Sequence, residues 1–259
     1  MRRIDPHLIA PDKAWDKAAK KATIAVGAGA NVSEYAEVWS RAKRRLKAVS
    51  NRKCWYCEAR QDRSDNAVDH FRPKSQYPWL AFALSNLRFS CTFCNSVRRD
   101  FETDKAGGKG DHFPIFNPPP AATEADIAKE EIVLVDPCRG ADVGLIDFKD
   151  DGSPCARYTR RSRRKERASR SIGYYHLDHS ELIESRRLLA LQLKEWIEAA
   201  DSLFELVDQG DPRVLAAFSG FTENLLEALT EKAEFSAFAR RIVDGHRNLP
   251  WVEDLLRCV

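Results

Sequence analysis

Cys54-Trp55-Tyr56-Cys57 and Cys91-Thr92-Phe93-Cys94 are two CxxC pairs of identical spacing with 33 residues between them. A CxxC turn points both sulfurs at one centre, and two such turns complete a tetrahedron of thiolates around zinc. A lone CxxC also serves as a redox pair beside a βαβ unit, but two matched pairs without that unit argue for metal. Four sulfurs leave no open coordination position, so this zinc is structural. The chain has seven cysteines, an odd number, and Cys138, Cys155 and Cys258 read as free thiols.

The segment enclosed by the pairs contains Val68-Asp69-His70-Phe71-Arg72-Pro73-Lys74 and Asn86-Leu87, and Asn95 follows Cys94 directly. Over residues 54–101 this pattern resembles the HNH, or ββα-metal, nucleases. Those proteins place Asp-His at the end of a first strand, Asn before a second, and His or Asn on the following helix. Here the third position is Asn95, and the resemblance includes enzymes with Asn there. The arrangement suits phosphodiester hydrolysis, in which a divalent cation neutralises the phosphate oxygens and the leaving group. Asp69 and Asn95 offer the hard oxygens that Mg²⁺ or Mn²⁺ accepts. His70 points to the other face of the strand, where it can take a proton from the attacking water. Asn86 reads as a positioning residue for the loop that orients His70. Arg72, Lys74, Arg98 and Arg99 are candidates for gripping phosphate, each with a plain reading as surface charge. His112 reads as a surface imidazole. The resemblance further implies a product with a 5′-phosphate and a 3′-hydroxyl.

A narrower resemblance adds Glu58, Ser75 and Trp79, then Asp136-Pro137, Phe148, Gly152, Leu177 and Arg186-Arg187. On these residues the chain is similar, as far as about residue 190, to the PtuB-type HNH proteins of the Septu anti-phage system, relatives of which accompany some retrons. That implies a PtuA-like ATPase partner, and the acidic helical tail is where such a partner would dock.

These residues must be positioned by a scaffold, expected to be α+β and mainly helical. It divides into a helical N-terminal segment (1–50), the nuclease unit with its zinc site (51–118), a β-hairpin connector with a basic segment (119–177), and an α-helical C-terminal domain (178–259). Two helices are expected over residues 12–50, broken at 27–31, the second capped by Ser33. Residues 131–135 and 145–148, each followed by a turn, predict a small hairpin. Residues 157–170 carry eight basic residues and one acid, Glu166, and read either as a solvated loop or as a phosphate-gripping segment. From Asp178-His179-Ser180-Glu181, which resembles a capping box, the pattern turns helical, and Asp211-Pro212 starts a further helix.

The net charge of +3 divides into −6 over residues 180–259 and +9 over the rest, so the front of the chain suits a polyanion. The longest apolar run, residues 79–84, is far short of the roughly 20 residues that cross a bilayer. With no apolar leader at the start, a cytoplasmic protein without a membrane partner is expected. With the HNH resemblance, the reading expected is a DNA endonuclease. The alternatives are a non-catalytic zinc-stabilised nucleic-acid-binding module, a stand-alone restriction-type enzyme, and an RNA-cleaving HNH nuclease.

Overall fold

The computed structural model describes residues 1–62 and 66–259. The chain is mainly helical, at 51%, with three two-stranded antiparallel sheets among the described residues. Among the described residues no helix is long and apolar enough to cross a membrane.

Two N-terminal helices, α1 (Lys13–Gly27) and α2 (Ala36–Val49), follow from apolar residues at helical spacing. Trp15, Ala19 and Ala22 are the buried stripe of α1; Val38, Ala42 and Leu46 are that of α2. Asp12 caps α1 by accepting from Trp15 N, and Trp15 Nε1 donates to Val38 O at 2.7 Å, which fixes the two helices together. The expected cap at Ser33 is displaced. A 3₁₀ turn, Val32–Tyr35, precedes α2, and the side chain of Asn31 caps that turn through Ser33 N.

Strand β1 (Ala67–His70) pairs with β2 (Leu87–Ser90), with Asp69 opposite Arg88 and His70 opposite Leu87. The pair lies between two cores, and the two-residue period of a strand sorts its side chains between them. Trp55, Val68, Leu87 and Phe89 join the core under α1 and α2. Tyr56 and Phe71 join the larger core of the rest of the chain. A one-turn helix α3 (Thr92–Asn95) follows, and then a short hairpin of β3 (Arg98–Arg99) and β4 (Ala106–Gly107).

Residues 131–135 do not form a ladder. Val133, Leu134 and Val135 are all fully buried, so the alternation that a half-buried strand needs is missing. Their backbone groups are satisfied piecemeal, by Pro114 O and by Ser171 Oγ. The hairpin lies further on, between β5 (Ile146–Phe148) and β6 (Pro154–Ala156), after the one-turn helix α4 (Gly140–Val143). Its turn demands Gly152, which has φ +85° and leaves no room for a Cβ against Ile183 O and Arg186. The fully buried Arg186 donates to Gly152 O and Leu177 O, joining the hairpin to the helices beyond.

The basic stretch is not an irregular loop: from Arg163 it forms α5 (Arg163–Tyr174), capped by Ser162. Helices α6 (Ser180–Val207), α7 (Pro212–Leu229), α8 (Ser236–Asp244) and α9 (Pro250–Arg257) complete the chain. Asp178 is not the cap of α6. His179 is, accepting from Glu181 N through Nδ1. Asp211 caps α7, with Pro212 in its first turn.

Candidate metal centre and active site

The first CxxC turn folds on itself through Cys54 N to Ala59 O and Glu58 N to Cys54 O, with Glu58 at φ +66°. The second begins at Cys91, the last residue before α3, and closes through Asn95 N to Cys91 O. Trp55 N donates to Phe89 O, so β2 carries both turns at a fixed separation. All four Sγ atoms lie within 4.8 Å of one another and all four residues are buried. Cys57 Sγ and Cys91 Sγ are 3.8 Å apart, too far for a disulfide. A tetrahedron with Zn–S bonds of about 2.3 Å has edges of about 3.8 Å, so the cluster fits zinc. Cys138, Cys155 and Cys258 lie outside the cluster.

His70 ends β1. Its Nε2 lies 2.9 Å from Ala81 O, and a carbonyl only accepts, so Nε2 carries the proton and Nδ1 the lone pair. Among the described residues Nδ1 has no hydrogen-bond partner. Burial pushes the imidazole pKa down to about 4, the Ala81 hydrogen bond opposes this, and the nearby charge of Lys74 adds to it. His70 is therefore a neutral base at neutral pH. Trp39 packs edge-on against it at 5.1 Å, and Lys74 Nζ lies over the same indole at 5.7 Å.

Ala81 belongs to the loop that joins the two strands, and Asn86 fastens that loop. Its Oδ1 accepts from Arg72 N, and its Nδ2 donates to Arg72 O and to Leu80 O, the residue before Ala81. A buried amide thus closes the loop at both ends and sets the carbonyl that orients His70.

Asp69 points the opposite way and is buried. Tyr56 donates to its Oδ2 at 2.5 Å and Lys109 Nζ to its Oδ1 at 2.9 Å. Burial, then the carboxylate, push the Tyr56 hydroxyl well above its ordinary pKa, so it stays a donor. Lys109 is wholly buried and also donates to His70 O at 2.7 Å. It arrives on the loop 107–110, which runs along the second knuckle. Lys109 N donates to Cys94 O and Gly110 N to Asn95 O. Gly108, at φ +110°, passes so close to Ser96 O that a Cβ would sit 2.0 Å from it. The half-buried side-chain amide of Asn95 makes no hydrogen bond among the described residues.

Sequence reasoning did not find Lys109. The signal was Gly107-Gly108-Lys109-Gly110, a run in which glycines give one lysine a backbone path that other residues cannot follow.

The phosphate-gripping candidates are placed differently from one another. Arg72 is held by Glu130 at 2.9 Å and lies over Phe113, with only 14% of its side chain exposed. Lys74 shares Trp39 with His70. Arg98 is exposed and lies over Phe93, and Arg99 is exposed and paired with Asp104.

For a divalent ion at Asp69 and Asn95 the donor types are suitable hard oxygens. Both oxygens of Asp69 are already taken, however, one by Tyr56 and one by the buried Lys109 ammonium, so an ion there has to displace Lys109.

Together these features define a mainly helical protein with a buried four-cysteine cluster of a size to hold a metal and, fixed to it, a neutral histidine back to back with a buried carboxylate. No family model matches the chain. Over 181 residues it is homologous to the Septu protein PtuB of Bacillus mycoides (strain KBAB4), at 31% identity, covering 63% of this chain and 56% of that protein. A Septu protein PtuB of Bacillus thuringiensis is 38% identical over 85 residues, 31% of this chain and 30% of that protein. The match thus spans little more than half the length of the first of these curated relatives and under a third of the second.

Proposed function

We propose that this protein is an HNH-type endonuclease that hydrolyses phosphodiester bonds in DNA, and that it serves an anti-phage system of the Septu kind together with an ATPase partner. The defence role and the partner rest on the similarity to PtuB proteins. The enzymatic reading rests on one observation above all. His70 is neutral, its Nε2 is fixed on Ala81 O by an Asn86-fastened loop, and its Nδ1 is left free. A merely structural histidine has no need of a dedicated loop that leaves one ring nitrogen open.

In this reading Nδ1 of His70 takes a proton from water, the oxygen attacks phosphorus, and the bond to the 3′-oxygen breaks, leaving a 5′-phosphate and a 3′-oxygen that takes a proton from solvent to become the hydroxyl. Lys74, beside His70 across Trp39, holds the phosphate near the base. Asp69 and Asn95 would hold Mg²⁺ or Mn²⁺, which supplies neutralisation of the phosphate and of the departing oxygen. The cysteine cluster would hold zinc and keep Asn95 in place.

The competing reading is a zinc-stabilised nucleic-acid-binding module without catalysis, and the Lys109–Asp69 pair, which already neutralises the carboxylate, favours it. Plasmid DNA incubated with Mg²⁺ or Mn²⁺ separates the two, with total RNA assayed alongside. The nuclease reading expects cleavage that His70→Ala reduces by about 100-fold or more while zinc content and circular dichroism are unchanged. Cleavage that survives His70→Ala refutes the role given to that residue, and an inactive wild-type protein favours the binding module.

A further inference from the structure

Helix α5 is anchored on one side only. Arg167 turns inward to Asp142 at 2.6 and 2.9 Å and to Val133 O and Leu134 O, while Ala168 and Ser171 are fully buried. The other side is open and basic. Among the described residues Arg160, Arg161 and Lys165 are exposed there without an acidic partner, Glu166 pairs with Arg170, and Arg164 lies over Tyr158 on the Ala168 side of the helix. Two clefts run along this side. One, of about 620 Å³, is lined by Arg161, Lys165 and Ser169 among others. The second, of about 300 Å³, continues from Ser169 past Arg170 and Gly173 to Tyr174, His112 and Gly108. Ser169 belongs to both, so the clefts form one track.

The far end of the track has a different character. The ring of exposed His112 lies 5.1 Å from that of Tyr174, and the Arg170 guanidinium lies 6.0 Å from the same tyrosine. Next to Gly108 in sequence is Lys109, bound to Asp69 and to His70 O. The track therefore begins beside the unpaired Arg161 and Lys165, ends in two aromatic rings tilted by 39° to each other, and abuts the loop that closes on the candidate active site. From Ser162 to Gly173 it spans about 16 Å of helix, close to five nucleotides at the 3.4 Å rise of one DNA strand. Unpaired cations suit phosphates, and a stacking surface suits a base that has no Watson–Crick partner.

We infer that the open face of α5, with His112 and Tyr174 at its end, is the binding track for a single strand of DNA leading to the Asp69–His70 site. The inference rests on the nuclease reading for what happens at the end of the track, but binding along it is measured without catalysis. Fluorescence anisotropy of a labelled 20-nucleotide single strand, with zinc-loaded protein and no added divalent metal, gives affinity as a function of salt. Removing three cations that line the two clefts, by R161Q/K165Q/R170Q, lowers the salt slope by about 2 and the affinity at 0.1 M salt by about 100-fold. R213Q/R247Q/R257Q, an equal charge change on exposed arginines of the C-terminal helical part, leaves both nearly unchanged. His112→Ala weakens the single strand about fivefold or more at an unchanged slope and leaves a duplex of the same sequence unaffected.

The inference is overturned by a wild-type protein that does not bind the strand, by a test triple that keeps the wild-type slope, by a control triple that loses as much, or by tighter binding of the duplex or of the matching RNA. Failure of the nuclease reading has a separate signature, binding along the track with no cleavage when Mn²⁺ is supplied.

Discussion

Lys109→Met retains a long side chain and removes the ammonium from a pair whose side chains are 0% and 3% exposed. The Asp69 carboxylate then keeps only Tyr56 as a donor, and His70 O loses its donor from Lys109. Breaking a buried ion pair from one side costs about 3–5 kcal/mol, because the remaining charge is stranded. At about 2–4 °C per kcal/mol for a chain of this size, the melting temperature falls by roughly 6–20 °C. D69N/K109M, which strands no charge, recovers most of that loss. Divalent metal adds the decisive arm. If Asp69 and Asn95 form a cation site, Mn²⁺ at 100 times its dissociation constant restores about 2.7 kcal/mol to K109M, and it does nothing for D69N/K109M. Differential scanning calorimetry of zinc-loaded protein with and without Mn²⁺ reads all of these shifts. A K109M protein that melts within 2 °C of wild type refutes the energetic argument, and equal Mn²⁺ shifts in the two variants refute the assignment of Asp69 to a cation.

Cys91→Ser removes one of four thiolates from a site whose metal contributes about 10–16 kcal/mol in small peptides, comparable to a whole domain's stability. Bound zinc by mass spectrometry of metals should fall from one equivalent toward none, with loss of near-ultraviolet circular dichroism. Asn86→Ala deletes three hydrogen bonds, two to the Arg72 backbone at the far end of the loop that carries Ala81 and one to Leu80 O beside Ala81. A stability loss of about 2–4 kcal/mol in urea unfolding is expected, with cleavage lost mainly in kcat because His70 loses its orientation rather than its access to substrate. Gly108→Ala forces a Cβ to 2.0 Å from Ser96 O at φ +110°. It should cost more than 3 kcal/mol and displace Lys109, so that its melting curve resembles that of K109M.

The parts of this site that were legible in the sequence are those whose geometry is local. A CxxC turn converges its sulfurs within four residues, and alternation along a strand sends Asp69 and His70 to opposite faces whatever surrounds them. The parts that were not legible depend on residues far apart in the chain. Lys109 is one of 42 lysines and arginines, and what buries it is a partner 40 positions away. Arg72 looks like a phosphate ligand until Glu130, 58 positions on, takes its guanidinium. Residues 131–135 have strand-forming side chains, yet their pairing stops at one isolated bridge, Ile132 with Ile115. The reason is that the buried backbone from Val133 to Val135 finds its partners in Pro114 O, Ser171 Oγ and the Arg167 and Tyr175 side chains. In α5 the buried positions are as small as Ala168 and Ser171, so dense surface charge hid a helical face that an apolar periodicity would have revealed.

The same long-range contacts give the four-cysteine cluster a role beyond holding its own turns together. Lys109 N and Gly110 N donate to two consecutive carbonyls, Cys94 O and Asn95 O, at the end of the second knuckle. The reach of the Lys109 side chain to Asp69 is therefore measured from the metal cluster, and Asn95 starts from the same turn. On the other side Tyr56, inside the first knuckle, holds the second oxygen of Asp69. Each oxygen of the carboxylate thus answers to a different pair of cysteines. A metal that draws the two pairs together fixes the carboxylate between a phenol and an ammonium. Loss of that metal should loosen Asp69 before it unfolds the helices, because the cores under α1 and α2 and around α6–α9 include many apolar contacts that do not pass through the knuckles. Chelation at low denaturant should accordingly expose Tyr56 to solvent, read by its absorbance, while helical circular dichroism changes little. Simultaneous loss of both signals would show instead that the zinc unit and the helical cores unfold as one.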